Sequence, residues 1–374
     1  MAKRLCAVGS LMTGDPLAWY AGKRVFMTGH TGFKGAWLTL WLQRLGSSVT
    51  GYALPPEGRA LFADASVGDG MTSLIGDIRD SKALREAIHA AEPDIVFHLA
   101  AQSIVRRSYD EPVATFATNV LGTANLLDAV RDVGSIAAAV IVTSDKCYEN
   151  DASGAAYAET APMGGHDPYS ASKGCAELVT SAFARSFFHT TTTTIVSARA
   201  GNVIGGGDWA VDRIIPDLMR AAETGVPARI RRPSAVRPWQ HVLEPLYGYL
   251  LLGARAATAG DKFAGGWNFG PSASASAPVS RLIELVQKNW PAAAATIEAQ
   301  ITGPEEAALL RLDSSKAHSV LGWTTHFSLE RAVATTVDWY RHRATQPGTI
   351  GAYTDHQIGR YASLISAKQW SDVP

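Results

Sequence analysis

Three glycines spaced three residues apart, Gly29, Gly32 and Gly35, lie between two apolar segments near the start of the chain. Residues 24–28 have the pattern of a short buried strand, and residues 36–45 have that of a helix. A strand that passes through a glycine-rich turn into a helix is typical of dinucleotide-binding sheets, because the turn brings backbone N–H groups close to a pyrophosphate. The G-x-x-G-x-x-G spacing differs from the more common G-x-G-x-x-G, so a purely structural turn remains the alternative.

Strand-like and helix-like segments alternate over the first half of the chain. The pattern predicts further strands at residues 49–53, 73–75, 95–99, 137–143 and 194–199, with helices at 81–91, 113–133 and 169–188. This alternation predicts an α/β fold with a Rossmann-type doubly wound parallel sheet. We expect an N-terminal extension at residues 1–18 and a dinucleotide-binding domain at 19–200 that carries the catalytic residues. Residues 201–374 are expected to form mainly a smaller substrate-binding lobe, interleaved with the end of the first domain.

The overall composition argues against several classes of protein. The 374 residues are 47% hydrophobic, and the 34 basic and 34 acidic residues give a formal net charge of zero. A balanced charge provides no strong field for recruiting nucleic acid or an anionic membrane, and no apolar run is long enough to cross a bilayer. Cys6, Cys147 and Cys175 show neither a disulfide framework nor zinc spacing, and the histidines lack metal-ligand spacing. We therefore expect a cytoplasmic protein without a metal, nucleic-acid or membrane partner, in which Cys147 has a packing role.

The segments that follow the second, third and fourth strands contain candidate cofactor contacts. The second strand ends without the Asp or Glu that would bind a ribose 2′-hydroxyl, and Lys34 and Arg59 would suit a 2′-phosphate, so local residues leave NAD and NADP both open. Small residues after the fourth strand would let a cofactor pass close to the backbone, although ordinary packing explains them equally well. The predicted cofactor-binding residues are Gly29, His30, Gly32, Phe33, Gly35, Asp77, Ile78, Leu99, Ala100 and Ala101, together with Tyr169 and Lys173.

Reactive side chains cluster after the fifth strand. Ser144, Asp145 and Lys146 follow that strand directly, and Tyr169 and Lys173 are four residues apart, which places them on one face of a helix. A lysine ammonium beside a phenol lowers the pKa of the phenol, so that Tyr169 can accept a hydroxyl proton while hydride leaves the same carbon. Asp145 and Lys146 add an acid and an amine, which indicates elimination as well as hydride transfer. A loop ion pair without chemistry is the alternative.

These motifs resemble those of the extended short-chain dehydrogenase/reductases and, within that group, those of the CDP-glucose 4,6-dehydratases. The resemblance covers roughly residues 19–361. It rests on Gly-His-Thr-Gly-Phe-Lys-Gly at 29–35, Thr-Ser-Asp-Lys-Cys-Tyr at 143–148, Pro-Tyr-Ser-Ala-Ser-Lys-Gly-Cys-Ala-Glu at 168–177, Arg-Ala-Gly-Asn-Val-Ile-Gly-Gly-Gly-Asp-Trp at 199–209 and Arg-Pro-Trp-Gln-His-Val at 237–242.

The resemblance implies NAD-dependent dehydration of CDP-glucose to CDP-4-dehydro-6-deoxyglucose, in deoxysugar biosynthesis such as that of lipopolysaccharide O-antigen. Tyr169 would take the 4-hydroxyl proton with help from Ser144 and Lys173 while C4 is oxidised. By position, Lys146 is the candidate base at C5 and Asp145 the candidate acid for the departing 6-hydroxyl, before hydride returns to C6. Lys146 must be neutral to act as a base, and the opposing effects of burial and of Asp145 on its pKa leave that question open.

The resemblance also implies a nucleotide-sugar site and a homodimer. The predicted substrate-binding residues are Gln102, Ser103, Arg106, Asn202, Arg213 and Arg237. Arg237 is the best candidate for a bidentate phosphate contact, whereas Arg231 and Arg232 are interpreted as a solvated surface pair. His98 is interpreted as a core histidine, and His241 as a candidate substrate contact. In the resembled family, the helices at 113–133 and 169–188 pair across a dimer axis into a four-helix bundle.

Two other functions remain open. A nucleotide-sugar 4-epimerase would use the same tyrosine and lysine but has no need of an acid and an amine at positions 145 and 146. A non-catalytic dinucleotide-sensing regulator would keep the glycine turn without needing Ser144, Tyr169 and Lys173. Product analysis separates the three functions, because they yield a keto-deoxy sugar, an epimer or no product.

Overall fold

The computed structural model describes residues 15–151, 154–272, 275–298 and 310–371. The strands are β1 Arg24–Thr28, β2 Ser48–Ala53, β3 Thr72–Ile75, β4 Ile95–His98, β5 Ala138–Val142, β6 Ala156–Tyr157, β7 Thr194–Arg199, β8 Val203–Ile204, β9 Ala228–Ile230, β10 Val236–Pro238, β11 Gln240–His241, β12 Gly265–Asn268, β13 Ser276–Pro278, β14 Ala295–Ile297 and β15 Arg311–Leu312. The helices are α1 Phe33–Arg44, α2 Leu61–Asp64, α3 Ser81–Ala91, α4 Val105–Asp110, α5 Pro112–Phe116, α6 Gly122–Val130, α7 Pro168–Phe183, α8 Ile214–Thr224, α9 Leu243–Ala259, α10 Val279–Asn289, α11 Leu329–Thr345 and α12 Ile350–Ser371.

Seven parallel strands form the central sheet, in the order β3-β2-β1-β4-β5-β7-β12. Helices cover both faces, so the inner strands β1, β4, β5 and β7 are buried on both sides, whereas the edge strand β3 is largely exposed. In β1, for example, Val25 and Met27 join one core cluster while Phe26 joins the cluster on the opposite face. The predicted doubly wound parallel sheet is therefore confirmed, and all six strands predicted from the sequence are present.

The seventh strand, β12, was not predicted from the sequence. Two of its four residues are glycines, Gly265 and Gly266, which weaken the strand pattern. Its backbone pairs in parallel with β7, from Gly265 opposite Val196 to Asn268 opposite Arg199. Residues beyond position 200 thus complete the sheet, and α9 packs against β5 and β7.

The N-terminal prediction needs a correction at its boundary. Residues 1–14 lie outside the described residues, but Pro16–Tyr20 forms a short 3₁₀-helix that is packed on the core. Leu17 and Tyr20 are buried, and the Tyr20 hydroxyl donates a hydrogen bond of 2.8 Å to the carbonyl of Leu250 in α9. Residues 16–18 therefore belong to the folded body and not to an extension. Among the described helices, none combines the length and the apolar character needed to cross a bilayer.

Candidate active site

A cleft of about 590 Å³ opens at the carboxyl ends of the sheet strands. The chain order of the sheet reverses between β1 and β4, and ligands of doubly wound sheets bind at such a switch point. Residues after β1, β3, β4 and β5 line one part of the cleft, and residues from the segment 200–237 line the other. The topology thus brings the predicted cofactor and reactive segments to one place.

The glycine turn shapes the floor of this cleft. Gly29 has a φ of +77°, and a Cβ atom there would lie 2.6 Å from the Ala100 nitrogen. A Cβ atom on Gly35 would lie 2.1 Å from the Gly29 carbonyl oxygen, so only glycine lets α1 start this close to the strand. Gly32 precedes α1 and lines the cleft, and its Cβ position has no heavy atom nearer than 3.4 Å. The first and third glycines thus serve the turn and its packing, while the second exposes backbone to the cleft.

Two predicted binding residues do not line the cleft. His30 is fully buried, its Nε2 atom lies 2.7 Å from the Ser73 hydroxyl, and its ring packs against Phe62. The Gln102 side chain is held by Thr115 and by the backbone of Ile104, which fixes the loop after β4. Both side chains therefore make contacts within the protein and lie outside the cleft wall.

Lys34 and Arg59, the basic residues considered for a 2′-phosphate, lie in two different places. Lys34 lines the cleft, its ammonium is 3.4 Å from the Tyr249 hydroxyl, and its pKa is lowered to about 8 by burial and by Arg213, against the raising effect of Asp145. Arg59 lies outside the cleft wall, where it pairs with Glu223 and stacks on the indole ring of Trp209. Lys34 is thus part of the reactive end of the cleft, which its position in the glycine turn did not indicate.

Asp77 and Ile78 line the cleft beyond β3, as do Leu99, Ala100 and Ala101 beyond β4. Arg79 also lines it and donates to both carboxylate oxygens of Asp77, at 2.9 Å from its Nε atom to Oδ2 and 3.0 Å to Oδ1. These hydrogen bonds lower the pKa of Asp77. The Asp77 carboxylate therefore stays ionised at the edge of the cleft. Arg79 was not identified by the sequence analysis.

The loop after β5 places three of the predicted reactive residues in the cleft. Ser144 caps a single 3₁₀ turn, Asp145–Cys147, by accepting the Lys146 N–H at 3.2 Å. The Ser144 hydroxyl donates to Asp145 Oδ1 at 2.9 Å, and the Asn202 amide donates to Asp145 Oδ2 at 3.3 Å. Asp145 is buried, whereas Lys146 is partly exposed and its side chain makes no hydrogen bond or ion pair with the described residues. Asp145 and Lys146 are therefore not the loop ion pair that was the alternative interpretation.

Tyr169 and Lys173 lie on the first two turns of α7, which Asp167 caps by accepting the Ser170 N–H. Both side chains are buried and line the cleft. Burial raises the pKa of Tyr169 to about 12, although a hydrogen bond with Ser144 acts to lower it. The sequence-based prediction that the pKa of Tyr169 is lowered is therefore wrong. The loss of hydration around this deeply buried phenol raises its pKa more than its hydrogen-bond and charged partners lower it.

The two histidines singled out from the sequence are both core residues. His98 lies between the hydroxyls of Thr28 and Thr123, at 2.7 and 3.1 Å, and burial lowers its pKa to about 3. His241 is fully buried between the rings of Trp37 and Phe327 and does not line the cleft. No cluster of potential metal ligands occurs in the part of the chain that the structure describes.

Arginines line the far part of the cleft. Arg213 donates to Asp208 at 2.9 Å and to the Ser103 hydroxyl at 3.1 Å. Arg106 and Arg231 both pair with Asp212. Arg232 and Arg237 line the same wall, so Arg231 and Arg232 are not the solvated surface pair expected from the sequence. Their closeness to Arg237 in the sequence was the signal for this basic wall.

Comparison with known proteins identifies the family. Residues 26–336 match the family described as GDP-mannose 4,6 dehydratase. The chain belongs to the GDP-mannose 4,6-dehydratase family. Within that family, the chain is 49% identical over 329 residues to the CDP-glucose 4,6-dehydratase of Salmonella typhimurium, covering 86% of this chain and 92% of the relative. The resemblance inferred from the motifs is confirmed.

Solved structures related to the family share the fold. MoeE5 in complex with UDP-glucuronic acid and NAD is 25% identical, with a TM-score of 0.70 over 85% of this chain and 99% of MoeE5. DesIV, a dTDP-glucose 4,6-dehydratase from Streptomyces venezuelae with NAD bound, is 24% identical, with a TM-score of 0.74 over 86% of this chain and 98% of DesIV. The Rossmann-type architecture is thus common to family members and their structural neighbours.

Proposed function

We propose that this chain is a CDP-glucose 4,6-dehydratase that uses NAD and releases CDP-4-dehydro-6-deoxyglucose. The observation that carries the proposal is that the Lys146 amine, which has no hydrogen-bond or ion-pair partner among the described residues, lies beside the buried Asp145 carboxyl group, in the same cleft as Ser144, Tyr169 and Lys173. Oxidation at C4 needs only the last three residues, whereas elimination of water also needs a base and an acid. The 49% identity to a CDP-glucose 4,6-dehydratase supports the substrate.

The residues at the switch point fit NAD. The open position beside Gly32 leaves room for a pyrophosphate at the N-terminus of α1, where backbone N–H groups and the helix dipole favour an anion. Asp77 and Ile78 would contact the adenosine end of NAD. Leu99, Ala100 and Ala101 would line the cleft between that end and Tyr169. When bound there, NAD supplies a hydride acceptor that later returns the hydride. MoeE5 and DesIV both have NAD bound, which supports this choice.

In the first half of the reaction, Tyr169 accepts the proton of the sugar 4-hydroxyl while C4 loses hydride. Ser144 interacts with Tyr169, and turning its hydroxyl from Asp145 towards the phenolate would stabilise the charge that forms there. Lys173 is buried one turn further along α7, and its ammonium favours the phenolate electrostatically. The resulting 4-ketone makes the hydrogen on C5 acidic.

In the second half, Lys146 as a neutral amine removes the C5 proton, and Asp145 as a carboxylic acid protonates the departing 6-hydroxyl, so that water leaves across C5 and C6. The proton that Tyr169 took from the 4-hydroxyl then restores the acid form of Asp145. Asp145 is held by Ser144 and Asn202, which keeps its carboxyl group directed into the cleft. Within the described part of the chain, Lys146 has no ion pair to break before it acts. Return of hydride to C6 and of a proton to C5 then gives the 4-keto-6-deoxy sugar.

The arginine wall suits the diphosphate of a nucleotide sugar. Arg237 remains the proposed bidentate phosphate contact, with Arg213 and Arg231 beside it in the cleft. Asn202, Ser103 and Arg106 line the space between these arginines and the reactive residues. We therefore place the hexose at Ser144 and Tyr169 and the nucleoside beyond the arginines.

A substrate panel tests the proposed function. The protein is incubated separately with CDP-, dTDP-, UDP- and GDP-hexoses in the presence of NAD or NADP, and the products are identified by mass spectrometry and NMR. We expect a 4-keto-6-deoxy product from CDP-glucose with NAD. A 4-epimer, or no product from any nucleotide sugar, would contradict the proposal.

Replacing Gly32 by alanine is expected to weaken NAD binding without harming the fold. The φ of −79° suits alanine, and the nearest atom to the new Cβ would be 3.4 Å away, so the methyl group enters the cleft and not the core. Crowding of this kind costs about 1–3 kcal/mol, so affinity should fall roughly ten- to hundredfold. Calorimetric titration with NAD measures the effect, and Gly134→Ala, whose Cβ would meet nothing within 4 Å, is the matched control. Unchanged affinity in the Gly32 variant would remove the turn from the NAD site.

We also propose that the protein is a homodimer formed through a four-helix bundle. Apolar side chains are exposed on α5, on the π-helical turn that follows it and on α7: Val113 is 81% exposed, Leu121 53% and Leu178 60%. The groove between these helices is lined by Pro112, Val113, Phe116, Ala117, Val120, Leu121, Ala124 and Cys175. Contiguous exposed apolar surface of this kind marks an interaction site. This apolar surface would be covered if these helices packed against the same helices of a second copy.

A charge placed on this surface is expected to separate the subunits. Leu178→Glu should convert a dimer into a monomer in sedimentation velocity, because a buried, unpaired carboxylate costs several kcal/mol at an interface. Val226→Glu is the matched control, since Val226 is 69% exposed but lies on the loop after α8. A monomeric wild-type protein at micromolar concentration would contradict the proposed dimer.

The proposed function also suggests a role for each domain and a location in the cell. Residues 19–200 would bind NAD and carry the catalytic residues, and most of 201–374 would bind the nucleotide sugar. A cytoplasmic location would give the enzyme both NAD and nucleotide sugars, which supports a role in deoxysugar biosynthesis such as that of O-antigen.

A further inference from the structure

A buried ion pair lies beneath the reactive loop. Glu177 is on α7 one turn beyond Lys173, and Arg199 is the last residue of β7. Their side chains are each 5% exposed, with Arg199 Nη2 2.7 Å from Glu177 Oε2 and Arg199 Nε 2.9 Å from Oε1. A pair this deep needs its remaining polar atoms satisfied, because two charges have been taken out of water.

The Glu177 carboxylate meets that requirement by accepting hydrogen bonds from two hydroxyl groups, one directly after β5 and one in β7. The Thr143 hydroxyl donates to Oε1 at 2.5 Å, and the Ser197 hydroxyl donates to Oε2 at 2.7 Å. Thr143 directly precedes Ser144. One carboxylate therefore joins the helix that carries Tyr169 and Lys173 to the loop that carries the other reactive residues.

Arg199 holds the opposite end of that loop. Its Nη1 atom donates to the Tyr148 hydroxyl at 2.5 Å, and Tyr148 donates to Asn268 Oδ1 at 2.7 Å. Burial alone would lower the pKa of Arg199, but the hydrogen bonds and charge of Glu177 raise it, so the guanidinium stays charged. The loop between Thr143 and Tyr148 is thus fixed at both ends by the same ion pair.

Glu177 also acts on the charge of Lys173. Burial lowers the pKa of Lys173 to about 8, and Glu177 is the larger of the two influences that raise it; the other is Cys147. Burial raises the pKa of the Cys147 thiol well above its ordinary value, so this thiol carries no charge near neutral pH. His98 is also uncharged there, because its pKa is lowered to about 3, and Lys34 is a cation. Among these described neighbours, Glu177 supplies the negative charge.

We propose that Glu177 is a positioning residue for the reaction: its buried carboxylate holds the loop after β5 against α7 and places a negative charge one turn from Lys173. Its kinetic consequence rests on the proposed function, since that reaction needs the Lys173 ammonium beside Tyr169. The effect on Lys173 itself is measurable without substrate.

The direct test is an NMR titration of Lys173 in [ε-¹³C]lysine-labelled protein, with the signal assigned by its loss in Lys173→Arg. In Glu177→Gln the Lys173 pKa should fall by about one unit, which corresponds to a tenfold change in its protonation equilibrium. Glu177→Gln/Arg199→Met removes both charges and so leaves no buried unpaired guanidinium, which keeps the test usable if the single variant does not fold. The fall in the Lys173 pKa should be smaller in this double variant, because loss of the Arg199 cation acts in the opposite direction. Ser197→Ala removes one hydrogen bond to Glu177 without removing its charge, and it should leave the Lys173 pKa unchanged.

The kinetic readout follows from the sign of that shift. A lower Lys173 pKa means that the ammonium is lost at lower pH, so the basic limb of the kcat/KM profile should move to lower pH by about one unit. An unchanged Lys173 pKa in the charge-removing variants, or one that falls equally in Ser197→Ala, would overturn the inference. A fall in the Lys173 pKa together with inactivity of the wild-type protein on CDP-glucose would contradict the proposed function and leave the charge effect of Glu177 standing.

Discussion

Tyr169→Phe is expected to reduce dehydration of CDP-glucose by a factor of about 10² to 10⁴, the usual loss when a general acid–base group is removed. The phenol is buried in the cleft beside Ser144, so deleting its oxygen removes the proposed acceptor for the 4-hydroxyl proton without leaving a large cavity. Steady-state formation of the keto-deoxy product measures the effect.

The matched control for this change is Tyr353→Phe. Tyr353 stacks on His342, far along the chain from the cleft residues and outside the cleft wall, and it undergoes the same loss of one hydroxyl. We expect full activity in that control. Full product formation by Tyr169→Phe would exclude the tyrosine from the mechanism.

Lys146→Ala is expected to block elimination while leaving the earlier oxidation at C4 possible. The side chain makes no hydrogen bond or ion pair with the described residues, so its removal should leave folding and NAD binding intact. Loss of the base should lower dehydration by about 10² to 10⁴. Exchange of the C5 hydrogen with deuterated water, followed by NMR, should disappear in parallel.

Two further variants separate basicity from charge. Lys146→Arg keeps a cation that cannot lose its proton in a protein, so it should be as inactive as the alanine variant if Lys146 acts as a base. Lys262→Ala removes an exposed lysine beside Phe263, away from the cleft, and should be fully active. Normal dehydration by Lys146→Ala would assign the C5 proton to another group.

The sequence predicted the fold well where local chemistry and long-range packing require the same residues. Gly29 and Gly35 are needed both for a tight turn and for close approach of α1 to the sheet, so their pattern was readable without a structure. The strand β12 was missed because Gly265 and Gly266 are stabilised there by pairing with β7, a contact that no local pattern encodes.

The site was less predictable because the direction of a side chain depends on its neighbours in space. His30 and Gln102 lie in the correct segments, but their side chains contact Ser73 and Thr115. Lys34 was considered for a 2′-phosphate, with NAD and NADP left open, yet the turn directs it to Tyr249 near the reactive residues. Such outcomes follow from packing that the sequence does not show.

The pKa of Tyr169 gives a second reason. The four-residue spacing to Lys173 predicted a lowered pKa, but burial raises it to about 12 in the protein alone. Spacing reports which groups are close, whereas the cost of removing a phenolate from water depends on how deep the helix lies in the fold.

Transfer of an isotopic label tests the central claim most directly. The protein is supplied with NAD and CDP-glucose carrying deuterium at C4, and the position of the label in the product is determined by NMR and mass spectrometry. Oxidation, elimination and hydride return on one sugar predict CDP-4-dehydro-6-deoxyglucose with deuterium on C6. A product with deuterium retained at C4, or a 4-epimer of the starting sugar, would contradict the assignment of this chain as a 4,6-dehydratase.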